Sequence, residues 1–129
     1  LIDHATSTGG MVNQTPGRIG DTPIIGAGTW ADNNTCAISA TGKGEAFARI
    51  VFARRVADMI EIGGLAPLKA AERALEDVRR VKGEGGCILV DGKGSLALPF
   101  NSPHMLRGWL IGNGPPQVAI LADEAITVQ

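Results

Sequence analysis

Residues 35–62 read TCAISATGKGEAFARIVFARRVADMIEI, and the change of pattern inside them decides the fold. Thr35–Ala40 is a short run of small and β-branched residues, suited to a pleated strand. Thr41-Gly42-Lys43-Gly44 ends it, and from Glu45 the apolar period becomes that of a helix. Ala46, Ile50, Ala53, Ala57 and Ile60 fall on one stripe, widened by Phe47, Val51 and Met59, with Arg49, Asp58 and Glu61 on the other side. The spacing predicts one helix over 45–62, stopped by Gly63-Gly64.

Toward the C-terminus, Pro67 suits the first turn of a second helix that runs to about Val81. Leu68, Ala71, Leu75 and Val78 form its predicted buried face, and Arg73–Asp77 and Glu76–Arg80 are i,i+4 pairs on its wet face. Cys87–Asp91 and Ser95–Pro99 read as a hairpin across Gly92-Lys93-Gly94. Gln117–Leu121 reads as a last strand, with a frayed tail after Ala122. Toward the N-terminus, Leu1–Ser7 reads as a strand that turns at Gly9-Gly10. Met11–Gly28 is a long irregular stretch punctuated by Pro16, Gly17, Gly20, Pro23 and Gly26, and connections of that kind are usually functional or disordered. Strands, two helices and then a hairpin make an α+β chain with an antiparallel sheet and no βαβ alternation. One sheet face takes the helices, and the other is expected to be covered from outside this chain.

Composition narrows the function. The chain has 129 residues, 44% of them hydrophobic, which suits one domain or part of one. Twelve basic residues against 13 acidic ones, with no basic block, argue against a nucleic-acid surface. No apolar run is long enough to span a bilayer and no signal-peptide pattern opens the chain, so a cytoplasmic location with no membrane partner is expected. Leu1 is not an initiating residue, and the sequence is expected to begin inside a longer one. Cys36 and Cys87 lie in apolar segments with no CxxC or histidine spacing, which predicts two buried free thiols in a reducing compartment. The sequence has no HExxH and no carboxylate-rich metal loop, and lacks the Rossmann glycine spacing. No cofactor or metal is therefore expected.

Three clusters carry candidate chemistry. Thr6, Ser7 and Thr8 put hydroxyls at a strand end before Gly9-Gly10, with Thr6 and Thr8 on one face; from composition alone the plainer reading is a β-branched strand closing into a tight turn. Arg18 and Asp21 stand three apart in a glycine-flanked loop. They either pair with each other or bind the two ends of a zwitterion, the guanidinium as a fork for a carboxylate and the aspartate for an ammonium. Thr41-Gly42-Lys43-Gly44-Glu45 joins a strand end to a helix start, where glycine amides and the Thr41 hydroxyl suit a developing oxyanion; the plain alternative is an ordinary strand-to-helix turn. Lys43 either reaches solvent or tunes the leaving-group side. His4, His104 and Asp32 are isolated, and Asp32 beside Asn33-Asn34 suggests a turn.

Taken together, Thr6-Ser7-Thr8-Gly9-Gly10-Met11, Gly17-Arg18-Ile19-Gly20-Asp21-Thr22-Pro23, Gly26-Ala27-Gly28-Thr29-Trp30-Ala31-Asp32 and Ala40-Thr41-Gly42-Lys43-Gly44-Glu45 resemble the plant-type L-asparaginase/isoaspartyl aminopeptidase family. Leu98-Pro99-Phe100-Asn101 is similar to its bacterial members, and the likeness runs in order from Ala5 to about Ile120. The resemblance implies an N-terminal-nucleophile hydrolase with an αββα four-layer sandwich, made as one precursor that cleaves itself into two subunits. This chain would be the small, C-terminal subunit over residues 1–129 without its first strand, partnered by the large subunit, in a dimer of αβ heterodimers. The family nucleophile is a threonine that uses its own α-amino group as base.

Matched position by position, the resemblance makes Thr8 the threonine that orients the nucleophile. Arg18 becomes the holder of the substrate α-carboxylate and Asp21 the holder of its α-ammonium. Thr41 and Gly42 become the oxyanion hole, and Gly44 the glycine that helps fix the α-amino group. The implied substrates are L-asparagine and β-aspartyl dipeptides. The nucleophilic threonine itself falls before Leu1, so this chain alone is expected to be inactive. The alternatives are a glycosylasparaginase subunit, against which Gly9 and Leu98-Pro99-Phe100-Asn101 speak, and a non-catalytic fragment that keeps an amino-acid pocket.

Overall fold

A computed structural model describes residues 1–124. Four strands, β1 (Thr29–Ala31), β2 (Cys36–Gly42), β3 (Gly85–Asp91) and β4 (Leu96–Ala97), form an antiparallel sheet in that spatial order. Helices α1 (Gly44–Ile50), α2 (Phe52–Glu61) and α3 (Pro67–Arg80) join β2 to β3 and pack on one face. A two-stranded sheet of β5 (Arg107–Trp109) and β6 (Gln117–Ala119) follows. The chain is α+β, as the order of its sequence patterns predicts. Among the described residues no helix is long and apolar enough to cross a membrane.

The pleat of β2 sends Cys36, Ile38 and Ala40 into the helices, where Cys87 and Leu89 of β3 join them. Phe47 and Phe52 meet edge to face with ring centroids 4.7 Å apart at the centre of this core. Alanines 53, 57, 70, 71 and 74 are fully buried, and their small side chains let α2 and α3 approach closely. Burial pushes the Cys36 thiol up to about 11 and raises Cys87 as well, so both are neutral packing groups rather than nucleophiles. The same pleat sends Ser39, Thr41 and Ile88 to the opposite, helix-free face.

The predicted helix 45–62 is two helices. Val51 separates them in the left-handed conformation (φ 54°, ψ 53°) and is 47% exposed instead of lying on the apolar stripe. The stripe hides this break because Phe47 and Phe52, on either side of it, reach the same core. The break frees amides at the start of α2, and the loop before β1 satisfies them: Ala53 N donates to Ala27 O at 3.0 Å and Arg54 N to Gly26 O at 2.8 Å. A β-branched residue is poorly suited to this conformation. We therefore expect Val51→Gly to raise stability by about 0.5–1 kcal/mol, net of the added chain entropy. Thermal melts of the assembled protein check this, and a lower melting temperature would contradict it.

Four other expectations need correction. Leu68 is 45% exposed, because α3 buries the neighbouring side carried by Ala70, Ala71, Ala74, Leu75 and Val78. Asp77 turns inward, is 7% exposed, and pairs with Arg55 of α2 at 2.7 Å and Arg80 at 2.5 Å. The predicted i,i+4 pairs Arg73–Asp77 and Glu76–Arg80 are therefore replaced by the i,i+3 pairs Arg73–Glu76 and Asp77–Arg80. Leu1–Ser7 alternates in burial as a strand would but has no backbone ladder. It is tied down instead by Ile2 N to Asn33 Oδ1 at 2.9 Å, by His4 Nε2 with the Thr29 hydroxyl, and by Ser39 Oγ to Thr6 Oγ1 at 2.9 Å. The second hairpin strand contracts from Ser95–Pro99 to Leu96–Ala97, although Cys87 N still reaches Pro99 O at 3.0 Å. Of the tail predicted to fray after Ala122, residues 125–129 lie outside the described residues.

Candidate active site

The helix-free face of the sheet, the N-terminal segment and the loop before β1 enclose a cleft of about 340 Å³. Thr8, Arg18, Asp21, Thr41 and Gly42 all line it, so residues up to 34 positions apart in sequence share one wall. Its volume suits a small molecule. Gly44 stands behind the cleft, buried at the start of α1. A Cβ there would lie 2.7 Å from Asp21 Oδ1 and 3.0 Å from Arg18 Nη2.

Asp21 is held by its backbone: Ile24 N and Gly28 N both donate to its carbonyl, at 3.0 and 3.1 Å. Its side chain sits between two glycines, since a Cβ at Gly28 would come 2.7 Å from Oδ2. The Gly28 carbonyl oxygen in turn accepts from Ala40 N at 2.8 Å, which fixes the loop to β2. Asp21 is only 6% exposed, and its buried Oδ2 has no hydrogen-bond partner. Burial is the main reason its carboxyl lies above the ordinary aspartate range, outweighing backbone hydrogen bonding and the nearby Arg18. The site thus holds a desolvated carboxylate facing a cleft, which is a place for a cationic donor.

That raised pKa has a consequence for stability. Because the folded state binds this proton more tightly than the unfolded chain, the ionised carboxylate opposes folding, and the cost sets in as pH rises through the folded pKa. We expect Asp21→Asn to melt above wild type at about pH 7, with the difference shrinking toward about pH 4. Melts across that range check it; a variant that melts lower at neutral pH would contradict the sign.

Arg18 is 17% exposed and donates Nε to Glu45 Oε1 at 2.9 Å. That hydrogen bond is the largest cause of the raised Arg18 pKa and of the lowered Glu45 pKa. A Cβ at Gly20 would come 3.0 Å from Arg18 Nη1, matching the close approach of Nη2 to Gly44. Small residues therefore surround both ends of the guanidinium fork.

Thr41 is the penultimate residue of β2, with its side chain on the exposed face. Gly42 follows at φ 140°, where a Cβ would meet Glu84 O at 2.3 Å. Only glycine fits that crossing of β2 and β3. Lys43 is exposed and lines a neighbouring opening with Lys82, Glu84 and His104, which agrees with the solvent reading. Thr8 lies in a tight turn, where its Oγ1 accepts from Gly10 N at 2.9 Å.

The isolated residues take structural places. His4 is engaged by Thr29, and the Asp32 carboxylate accepts from Asn34 N at 2.9 Å to form a turn. Sequence reasoning did not single out Ile88, Met105 and Leu106 as cleft lining, nor Gly28 as the wall behind Asp21. Ile88 was legible from alternation against buried Cys87 and Leu89, whereas Met105 and Leu106 lie in irregular chain without a periodic signal.

The chain is similar over most of its length to known proteins. A sequence model of the family described as Asparaginase matches residues 2–120. The isoaspartyl peptidase of Escherichia coli (strain K12) is 43% identical over 125 residues, covering 96% of this chain and 39% of the relative. The isoaspartyl peptidase of Salmonella typhimurium (strain LT2) is 47% identical over 120 residues, covering 92% and 38%. The plant-type L-asparaginase of Pyrobaculum calidifontis is 44% identical over 108 residues, covering 81% and 36%. The chain thus spans less than two-fifths of the length of these relatives. With the family model matching nearly all of its length, this chain belongs to the Asparaginase family, whose relatives here are hydrolases named isoaspartyl peptidase and L-asparaginase.

Proposed function

We propose that this chain is the greater part of the small subunit of a hydrolase that cleaves L-asparagine and β-aspartyl dipeptides through an N-terminal threonine. The observation that carries the reading is the pairing of opposite charges in one cleft: the guanidinium of Arg18 beside the buried, unpartnered carboxylate oxygen of Asp21. Together they suit the α-carboxylate and α-ammonium of an aspartyl group. Its side-chain carbonyl would then lie toward Thr41 and Gly42, which share the cleft.

In this scheme the nucleophile is a threonine ahead of Leu1 in the mature protein, oriented by the Thr8 hydroxyl. Its α-amino group takes the hydroxyl proton as Oγ attacks the β-carbonyl carbon. The Thr41 hydroxyl and the Gly42 amide hold the resulting oxyanion. Collapse of the tetrahedral species breaks the C–N bond, the proton passes to the leaving amine, and water then hydrolyses the acyl-threonine to release aspartate. Gly44 contributes by its lack of a side chain, leaving room for Asp21, Arg18 and the threonine α-amino group. The scheme needs no cofactor.

The large subunit, from the same precursor, would cover the helix-free face and complete a four-layer αββα sandwich in a cytoplasmic dimer of αβ heterodimers. Exposed Thr41 and Ile88 on that face support such a cover. Intact mass and N-terminal sequencing of the full-length expressed protein test the mechanism. Two subunits, the smaller opening with threonine and running into Leu1, are expected. A single uncleaved chain would overturn it. Turnover of glycosylated asparagine in preference to β-aspartyl dipeptides would instead make the protein a glycosylasparaginase.

A further inference from the structure

Arg18 and Asp21 carry opposite charges three residues apart in the same loop, yet they make no ion pair: the partner of Arg18 is Glu45. An arginine with two carboxylates in reach settles on the better hydrogen-bonded one. Glu45 wins because it follows Gly44 in the first turn of α1, and the absence of a side chain at 44 lets the guanidinium lie against the helix start. Glu45 Oε1 takes Nε and leaves the two terminal nitrogens, Nη1 and Nη2, uncommitted to it. Those two nitrogens form the end-on fork that holds a carboxylate by parallel hydrogen bonds. Meanwhile Asp21 Oδ2 remains buried and without a partner.

We propose that Glu45 is a positioning residue that keeps the zwitterion site open. It anchors Arg18 through Nε, presents the Nη1/Nη2 edge to the substrate carboxylate, and prevents Arg18 from collapsing onto Asp21. The inference rests on the reading of Arg18 and Asp21 as the substrate's carboxylate and ammonium partners. Without Glu45, the nearest compensating charge for Arg18 is Asp21, and pairing there would consume both recognition groups together.

The test compares wild type, Glu45→Ala and Glu45→Gln in the full-length, self-cleaved protein. Steady-state hydrolysis of a β-aspartyl dipeptide and calorimetric binding of L-aspartate are both read. Glu45→Ala is expected to raise KM and weaken aspartate binding by about tenfold, with kcat within about threefold, the scale of one lost charge-assisted contact made indirectly. Glu45→Gln keeps an oxygen acceptor for Nε and is expected to recover most of that loss. Because the pair is largely solvent-exposed on the Glu45 side, melting temperatures are expected to stay within a few degrees. Unchanged KM and binding in Glu45→Ala, beside an active wild type, would overturn the role of Glu45 and leave the functional reading standing. A Glu45→Gln variant as impaired as Glu45→Ala would also overturn it. A wild type that neither binds aspartate nor turns over the dipeptide would overturn the functional reading and this inference together.

Discussion

Arg18→Ala in the full-length protein is expected to raise KM for a β-aspartyl dipeptide by about 10²-fold, with kcat and melting temperature nearly unchanged. The size follows from the chemistry: the proposed two-point, charge-assisted contact to the substrate carboxylate is removed, and nothing else in the cleft supplies a planar fork. The loss falls on KM because that carboxylate carries the same charge in the ground and transition states. Stability is spared because the Arg18 partner, Glu45, is more than half exposed, and such pairs contribute little to folding. Calorimetry with L-aspartate separates binding from turnover. Affinity within a few-fold of wild type would remove Arg18 from the recognition site.

Thr41→Val is expected to do the reverse, lowering kcat by about 10²-fold while KM moves little. Valine keeps the β-branched shape that suits the end of β2, so the strand and the Gly42 crossing persist. Only the hydroxyl is lost, and the proposed scheme needs it where charge develops on the substrate carbonyl oxygen. The measurement is single-turnover kinetics on protein whose cleavage has been verified by mass. A rate within a few-fold of wild type would exclude Thr41 from oxyanion stabilisation.

The sequence makes the helix-bearing half of the fold legible because periodicity reports burial. Ile38, Ala40, Phe47, Ala53 and Val78 are buried where their spacing places them. Periodicity does not report direction of travel, so it runs straight through the Val51 break without a signal. Glycine or proline would have marked that turn, but the loop carbonyls of Gly26 and Ala27, far away in sequence, hold it in place. Short elements fail for a related reason. Three residues are too few for alternation to register in β1 and β5. Asp77 reads as a surface charge because its inward partner, Arg55, lies on another helix.

The site is legible in a different way. Each glycine-rich cluster is ambiguous alone, and the pairing of Arg18 with Asp21 was an open possibility from their spacing. The fold closes that question through Glu45, which takes Arg18 and leaves Asp21 Oδ2 bare. Glu45 reads in the sequence only as a favourable acid in the first turn of a helix. Its contact with Arg18 spans 27 residues, and no local pattern reports a contact of that separation.

The proposed function requires this cleft to serve hydrolysis at the side-chain carbonyl of an aspartyl group. The most direct test incubates the full-length protein with a β-aspartyl dipeptide and follows release of free L-aspartate and the second amino acid. Stoichiometric release from the β-linked dipeptide, none from its α-linked isomer, and loss of turnover at low substrate in Arg18→Ala are predicted. No release from the β-linked substrate by protein that has cleaved into two subunits would overturn the proposed function.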